Sequence, residues 1–298
     1  MGEVFGSGGK RAMNDLQAIV EQCRQLPPFP AVIHRALEVM NNPHSTLQDI
    51  IEVIQYDQSI TTNVLKVVNS SYFGLRRPVG SLQDAVLYLG LNPLLEILFG
   101  ASGGSVLTQA VDGYDLEAGA LWKHSVSSAL LSQIISRRLN REPNPLEFTA
   151  ALIHDIGKVI MSSFVGGQVQ RIREKVEREG LTFLEAEKEI LGIDHAELSA
   201  RIIEEWRFPE KIVTVIRYHH TPLSAGSEKD TVFLIYLSDL VAIMTGIGGG
   251  VDGLSYAGFK QVMQYFRLNE KDIELFMAQL GEEIKRVESF FQLKRSSP

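Results

Sequence analysis

Ala150-Ala151-Leu152-Ile153-His154-Asp155-Ile156-Gly157-Lys158-Val159-Ile160 is an apolar run with three ionisable residues inside it. Burying unpaired charge is costly, so adjacent His154 and Asp155 in such a run should be paired, hydrogen-bonded or bound to a metal. Read as a continuous helix, the run puts His154 and Lys158 one turn apart on one face, with Asp155 beside them. The dipeptide then presents an imidazole nitrogen and a carboxylate to one ion.

Outward from this run the pattern stays helical. Upstream, Pro28 and Pro30 open a helix over 31–40, and Ser45 with Gln48 makes a capping box for 47–56. Asp57 caps 59–69, and Ser81 with Asp84 starts 82–89. Asn92 before Pro93 starts 93–99, which stops at Gly100 and Gly103-Gly104. After a loop near 111–115 come helices over 121–139, 145–164 behind an Asn144 cap, and 168–179 ending at Gly180. Thr182 with Glu185 and Asp194 with Glu197 give two more capping boxes. Helices over 209–218 and 231–245 follow, the second stopping at Gly246–Gly250, and two amphipathic stretches, 254–266 and 271–291, close the chain. No alternating strand pattern and no repeat of fixed period occurs, so an all-α, multi-helix bundle is expected. Gly-rich residues 1–10 read as disordered, 11–110 as a smaller helical subdomain, and 115–298 as the domain that carries the candidate site.

The 298-residue chain is 45% hydrophobic and 22% charged, which can bury one large core or two smaller ones. A net charge of −7 gives no basic field, so nucleic-acid binding has no compositional support, while a phosphate ligand stays open. One cysteine, Cys23, rules out an internal disulfide framework and suits a reducing compartment; a buried small hydrophobe is its expected role. The most hydrophobic region, 85–101, is broken by Asn92, Pro93 and Glu96, and no apolar signal-peptide core opens the chain. A cytoplasmic protein without a membrane span is expected.

Five of the seven histidines fall after residue 115. Leu131 and Ile135, at i+7 and i+11, put His124 on an inward stripe. His195 follows Asp194, the pair His219-His220 ends a helix, and Asp239 interrupts an apolar run from Val232 to Leu240. Imidazole and carboxylate together bind Fe, Mn, Zn or Ni, and one aspartate can bridge two ions. Each residue also has an ordinary structural role open to it. His124 alone is a satisfied core histidine, His195 an exposed first-turn residue, and His219-His220 a favourable charge at a helix C-terminus. Asp239 alone is an acceptor for a neighbouring helix end. Their occurrence together, around a dipeptide that is hard to bury otherwise, is what points to metal.

His124, then His154-Asp155 with Gly157-Lys158, then Asp239, resembles the H…HD…D pattern of the HD superfamily of metal-dependent phosphohydrolases. Leu26-Pro27-Pro28-Phe29-Pro30, the stretch Asp57 to Ser70, Tyr72-Phe73-Gly74, Pro78 to Leu82 and Ala85 to Gly90 resemble the HDOD (HD-related output domain) family. The likeness covers roughly 26–240. It implies an all-helical, HD-like bacterial signalling domain preceded by a helical subdomain, in a family where many members have lost the metal residues. His195, His219 and His220 fall where the related HD-GYP cyclic di-GMP phosphodiesterases place histidines for a second metal. Ala120 stands where some of those proteins carry a glutamate for a third ion, so two ions at most are implied. After His220 the sequence Thr221 to Ser227 has no Gly-Tyr-Pro loop, and cyclic di-GMP hydrolysis is not carried over.

The resemblance implies two function classes. In the first, a phosphohydrolase acting on a nucleotide or phosphodiester, Asp155 bridges two divalent transition-metal ions, Fe or Mn before Zn or Ni. His124, His154 and Asp239 complete one ion, and histidines from among His195, His219 and His220 the other. Lys158 either binds a phosphate oxygen or forms a salt bridge to a ligating carboxylate. In the second, the chain is a non-catalytic signalling module whose metal site is structural or vestigial and whose work is binding a signalling-protein partner or a nucleotide. A metal-free bundle is the remaining alternative.

Overall fold

The structure is a computed structural model describing residues 16–22, 35–36, 39, 42, 44–56, 58–70, 73, 75, 77–90, 93–94, 97–98, 107–226, 228–248 and 258–292. Expectations for 1–10, Cys23, the Asp57 cap, the Asn92 cap and the glycines at 100–104 lie outside the described residues. So do most of 31–40 and the start of the helix expected at 254. Among the described residues the secondary structure is helical, with one isolated bridge between Val111 and Leu116. The chain divides into two compact units.

One unit holds Pro28–Val106 with Asn144–Leu146 and Gly281–Pro298. Its helices are α1 (Leu47–Ile54), α2 (Gln58–Val68) and α3 (Leu82–Leu89). Each buries an apolar stripe at helical spacing: Ile50, Ile51 and Ile54; Ile60, Val64 and Val68; Leu82, Ala85, Val86 and Leu89. The cap of α1 is a correction. Thr46, one residue later than Ser45, accepts from the Asp49 N–H while Asp49 returns the bond to the Thr46 N–H at 2.7 Å. Asp49 does this better than Gln48 because a carboxylate also suits the positive end of the helix dipole. Ser81 caps α3 through Asp84 as expected.

The other unit holds Met1–Pro27, Leu107–Pro143 and Glu147–Leu280. It contains α4 (Ala120–Arg138), α6 (Gly157–Gly166), α7 (Val169–Glu179), α8 (Phe183–Leu191), α9 (His195–Glu205), α10 (Glu210–Arg217), α11 (Lys229–Met244) and α12 (Phe259–Phe266). The helices α5 (Pro145–Ile153) and α13 (Glu270–Gln292) run across the unit boundaries in sequence. At the centre α4 packs along α11. Both are buried around nearly their whole circumference, and α11 is buried without a break from Thr231 to Ala242. A helix with no polar face has nowhere to sit but a core. Serines at 125, 127, 128, 132 and 136 keep α4 thin enough for this packing.

The stretch 145–164 is not one helix, which corrects the expectation. It breaks at His154, Asp155 and Ile156, where Ile156, Lys158 and Val159 bond back three residues instead of four. The Gly157 N–H leaves the helical ladder and donates to Ser199 Oγ on α9 at 2.9 Å. A Cβ at Gly157 would stand 2.5 Å from the His195 carbonyl oxygen and 2.8 Å from the Ser199 nitrogen. Glycine therefore lets α6 and α9 touch backbone to backbone. The stretch Leu146–Gly166 is long and apolar enough to cross a membrane by composition, but 78% of its 18-residue window is buried in the fold, as a core segment would be. Thr182 and Glu185 form the expected reciprocal cap, whereas at the next helix only half a box forms. Asp194 accepts from the Glu197 N–H, but the Glu197 carboxylate is drawn away to Arg201 and Arg217.

Candidate metal centre

Five segments deliver seven side chains to one place. The second turn of α4 supplies His124, the break between α5 and α6 supplies His154 and Asp155, and the first residue of α9 is His195. The turn after α10 supplies His219 and His220, and the middle of α11 supplies Asp239. The Gly157 contact fixes the start of α9 against Asp155, so a local backbone event creates a long-range juxtaposition. Six of the seven are buried at 1% exposure or less, and His220 is 12% exposed.

The donors fall into two sets, each with ligand atoms within 4.8 Å of one another: Asp155, His195, His219 and His220, and His124, His154 and Asp239. Asp155 faces both. Its Oδ1 lies 3.6 Å from His219 Nε2 and 3.7 Å from His195 Nε2, while Oδ2 lies 3.4 Å from His154 Nε2 and 3.6 Å from His124 Nε2. Asp239 Oδ1 stands 2.9 Å from His124 Nε2 and 3.6 Å from His154 Nε2.

Four rings are oriented from behind. Nδ1 of His124 meets the Ile247 carbonyl at 3.2 Å, that of His154 the Ala151 carbonyl at 2.6 Å, and that of His219 the Ile216 carbonyl at 2.5 Å. His195 Nδ1 meets Glu187 Oε2 at 2.7 Å. Each acceptor lacks a proton, so Nδ1 must donate and Nε2 is directed inward, the tautomer of a ligating imidazole. Nε2 of His124, His154 and His219 and Oδ1 of Asp155 are buried without a hydrogen bond of their own. His195 Nε2 and His220 Nε2 are 2.8 Å apart. Adjacent nitrogens bound to one ion at about 2.1 Å stand about 3 Å apart, so this spacing suits shared coordination. Buried nitrogens and carboxylate oxygens brought this close, several of them without a hydrogen bond, suit a cation shared among them.

Electrostatics agree. Burial works against charge on Asp155, yet His154 and Lys158 beside it hold its carboxyl well below the usual range. Asp239, equally buried, is held low by His124 and His154. Burial also opposes charge on His154, but Asp155 and Asp239 outweigh it and push its pKa up to about 10. Burial lowers His219 and, with His219 and His195 as neighbours, takes His220 well below the usual imidazole value. Burial also opposes charge on His195, but Glu187 outweighs it and raises its pKa, so His219 and His220 favour the neutral form while protons on His154 and His195 compete with any cation for the same lone pairs.

Lys158 is 2% exposed, with Nζ 2.6 Å from Asp155 Oδ2. This is a salt bridge to Asp155, the contact that one of its two sequence readings expects. Three features escaped sequence reasoning: Glu187 behind His195, the Ile247-Gly248 turn behind His124, and the contact of Gly157 with Ser199. Glu187 left one signal. It follows Phe183 by four residues and precedes Ile190 by three, on the apolar face of α8 where a carboxylate has no business without a partner.

Comparison with known proteins follows the same lines. An HDOD domain profile matches residues 26–222. A crystal structure of an HDOD domain protein of unknown function from Geobacter sulfurreducens superposes with a TM-score of 0.69 at 24% identity, covering 94% of this chain and 97% of that one. A protein from Shewanella amazonensis, named as a candidate phosphohydrolase, gives 0.65 at 23% identity, covering 93% and 98%. One from Marinobacter aquaeolei, named as a candidate signal transduction protein, gives 0.71 at 21%, covering 97% and 66%. These likenesses show the fold. An uncharacterized protein of Treponema pallidum is 24% identical over 212 residues, and the match spans 71% of this chain but only 40% of that protein's length. With a profile match over well more than half its length, on the helical framework the solved structures share, this chain belongs to the HDOD family.

Proposed function

We propose that this chain is a cytoplasmic bacterial signalling protein with a two-cation HD centre that hydrolyses a phosphate ester, the substrate being a nucleotide or phosphodiester. The observation that carries the reading is the convergence of four backed Nε2 atoms on the two oxygens of Asp155, with three of those nitrogens and Asp155 Oδ1 otherwise unbonded. His124, His154 and Asp239 would hold one divalent ion and His195, His219 and His220 the other, with Asp155 shared; Fe or Mn suits this nitrogen and oxygen set. Such a pair, when bound, supplies Lewis acidity to a phosphoryl oxygen and a water of lowered pKa. The protein's own part is to hold the donors rigid, to exclude bulk water from all but the His220 side, and to set the charge through Lys158. The test is a screen of nucleotides and phosphodiesters with Mn2+- or Fe2+-loaded protein. Turnover in the native chain and its loss in Asp155→Asn is expected, and turnover that survives in Asp155→Asn contradicts the reading.

A second reading is favoured by burial. Only His220 exposes more than about a hundredth of its surface, at 12%, which suits a cation that locks a signalling module together. Metal-site variants would then lower thermal stability while leaving partner capture unchanged.

A further inference from the structure

Glu187 belongs to neither donor set, yet it is fully buried behind one of them. Its Oε2 accepts twice from a single residue, from the His195 backbone N–H at 3.0 Å and from His195 Nδ1 at 2.7 Å. Its Oε1 accepts from the hydroxyl of Tyr114, which is also buried. The Tyr114 ring stands edge-on to the His195 ring, centroids 5.9 Å apart, and Lys158 Nζ lies 5.7 Å from its centre. A buried carboxylate is tolerable only with bonds of this number and kind.

The arrangement differs from that at the other three backed histidines. His124, His154 and His219 give their Nδ1 proton to a backbone carbonyl, whereas His195 gives it to a carboxylate. A carboxylate makes the opposite nitrogen a stronger donor to a metal. The double hold, on backbone and ring together, also fixes where His195 Nε2 points: 2.8 Å from His220 Nε2 and 3.7 Å from Asp155 Oδ1.

We propose that Glu187, braced by Tyr114, is a positioning residue for the cation held by His195, His219, His220 and Asp155, and has no part in the set formed by His124, His154 and Asp239. This rests on the two-cation reading of the centre. Glu187 fixes the His195 tautomer and strengthens its Nε2, so the second ion depends on a residue that never touches it.

The test titrates Mn2+ into metal-depleted full-length protein, followed by calorimetry and electron paramagnetic resonance, with thermal melts alongside. The native chain should take two ions and show the spectrum of a coupled pair. Glu187→Ala should weaken one binding step by about 10- to 100-fold, leave the other unchanged, and give the spectrum of isolated Mn2+ at one equivalent. Glu187→Gln, which keeps an acceptor oxygen but no charge, should recover part of that loss. Tyr114→Phe should weaken the same step by less, and these two variants carry the test if Glu187→Ala does not fold. Equal weakening of both steps, or of neither, overturns the proposal. A native chain that takes up fewer than two ions instead overturns the two-cation reading itself, before any variant is compared.

Discussion

Lys158 is where a single residue's role can be decided. Buried against Asp155 Oδ2 at 2.6 Å, it supplies positive charge to a cluster that holds two carboxylates. Lys158→Met should destabilise the metal-free protein by about 3 kcal/mol, the scale for breaking a buried pair. The loss should shrink when Mn2+ is bound, because the ions then supply the charge. A variant with unchanged metal-free stability but weaker substrate binding would instead assign Lys158 to a phosphate. Glu147 gives a second, independent check. Burial raises its pKa despite Arg141 at 2.8 Å, so its ionised form costs the fold stability at neutral pH. That cost disappears as the pH falls through the raised value, since the folded chain takes up its proton before the unfolded chain does. Glu147→Gln should therefore raise the melting temperature at pH 7 and lose that advantage towards pH 4; an advantage that grows on acidification contradicts the assignment.

Among the elements, two glycines set the geometry of the two donor sets separately. At Gly157 an added methyl meets backbone of α9, and at Gly248, with φ +74°, it would stand 2.5 Å from the His124 ring. Overpacking of this kind costs about 1–3 kcal/mol. Gly157→Ala should loosen chiefly the step of Mn2+ binding that uses His195, and Gly248→Ala the step that uses His124; both variants loosening the same step would show that the sets are not positioned independently. These contacts also mark the limit of what the sequence tells. Helix periodicity and caps such as Ser81 and Thr182 are local signals, and they located most of the helices that are described. The break at His154–Ile156 is not local. It exists because Ser199, more than forty residues on, takes the Gly157 N–H, and nothing in the run 150–160 announces that. Glu187 showed only its place on the apolar face of α8, while its bonds to Tyr114 and His195 depend on the fold.

For the whole molecule, the family likeness and the candidate donor residues were readable because they are histidines and aspartates in a fixed order. The resemblance also implied the division into His124, His154 and Asp239 on one side and the later histidines on the other, and the structure groups them so; which oxygen of Asp155 faces which ring was not legible, because the break at 154–156 sets it. A cation that binds only the folded chain must stabilise it by mass action, about 2.7 kcal/mol at a hundred times its dissociation constant. Mn2+ should accordingly raise the melting temperature of the native chain and leave that of Asp155→Asn nearly unmoved. An equal rise in both would place the ion elsewhere.

The most direct measurement of the central claim is metal content per chain, on protein purified anaerobically and again after reconstitution, beside Asp155→Asn. The account predicts about two equivalents of iron or manganese in the native chain and their loss in the variant, because both ions share that carboxylate. No metal after reconstitution, or the same content in both proteins, would contradict it.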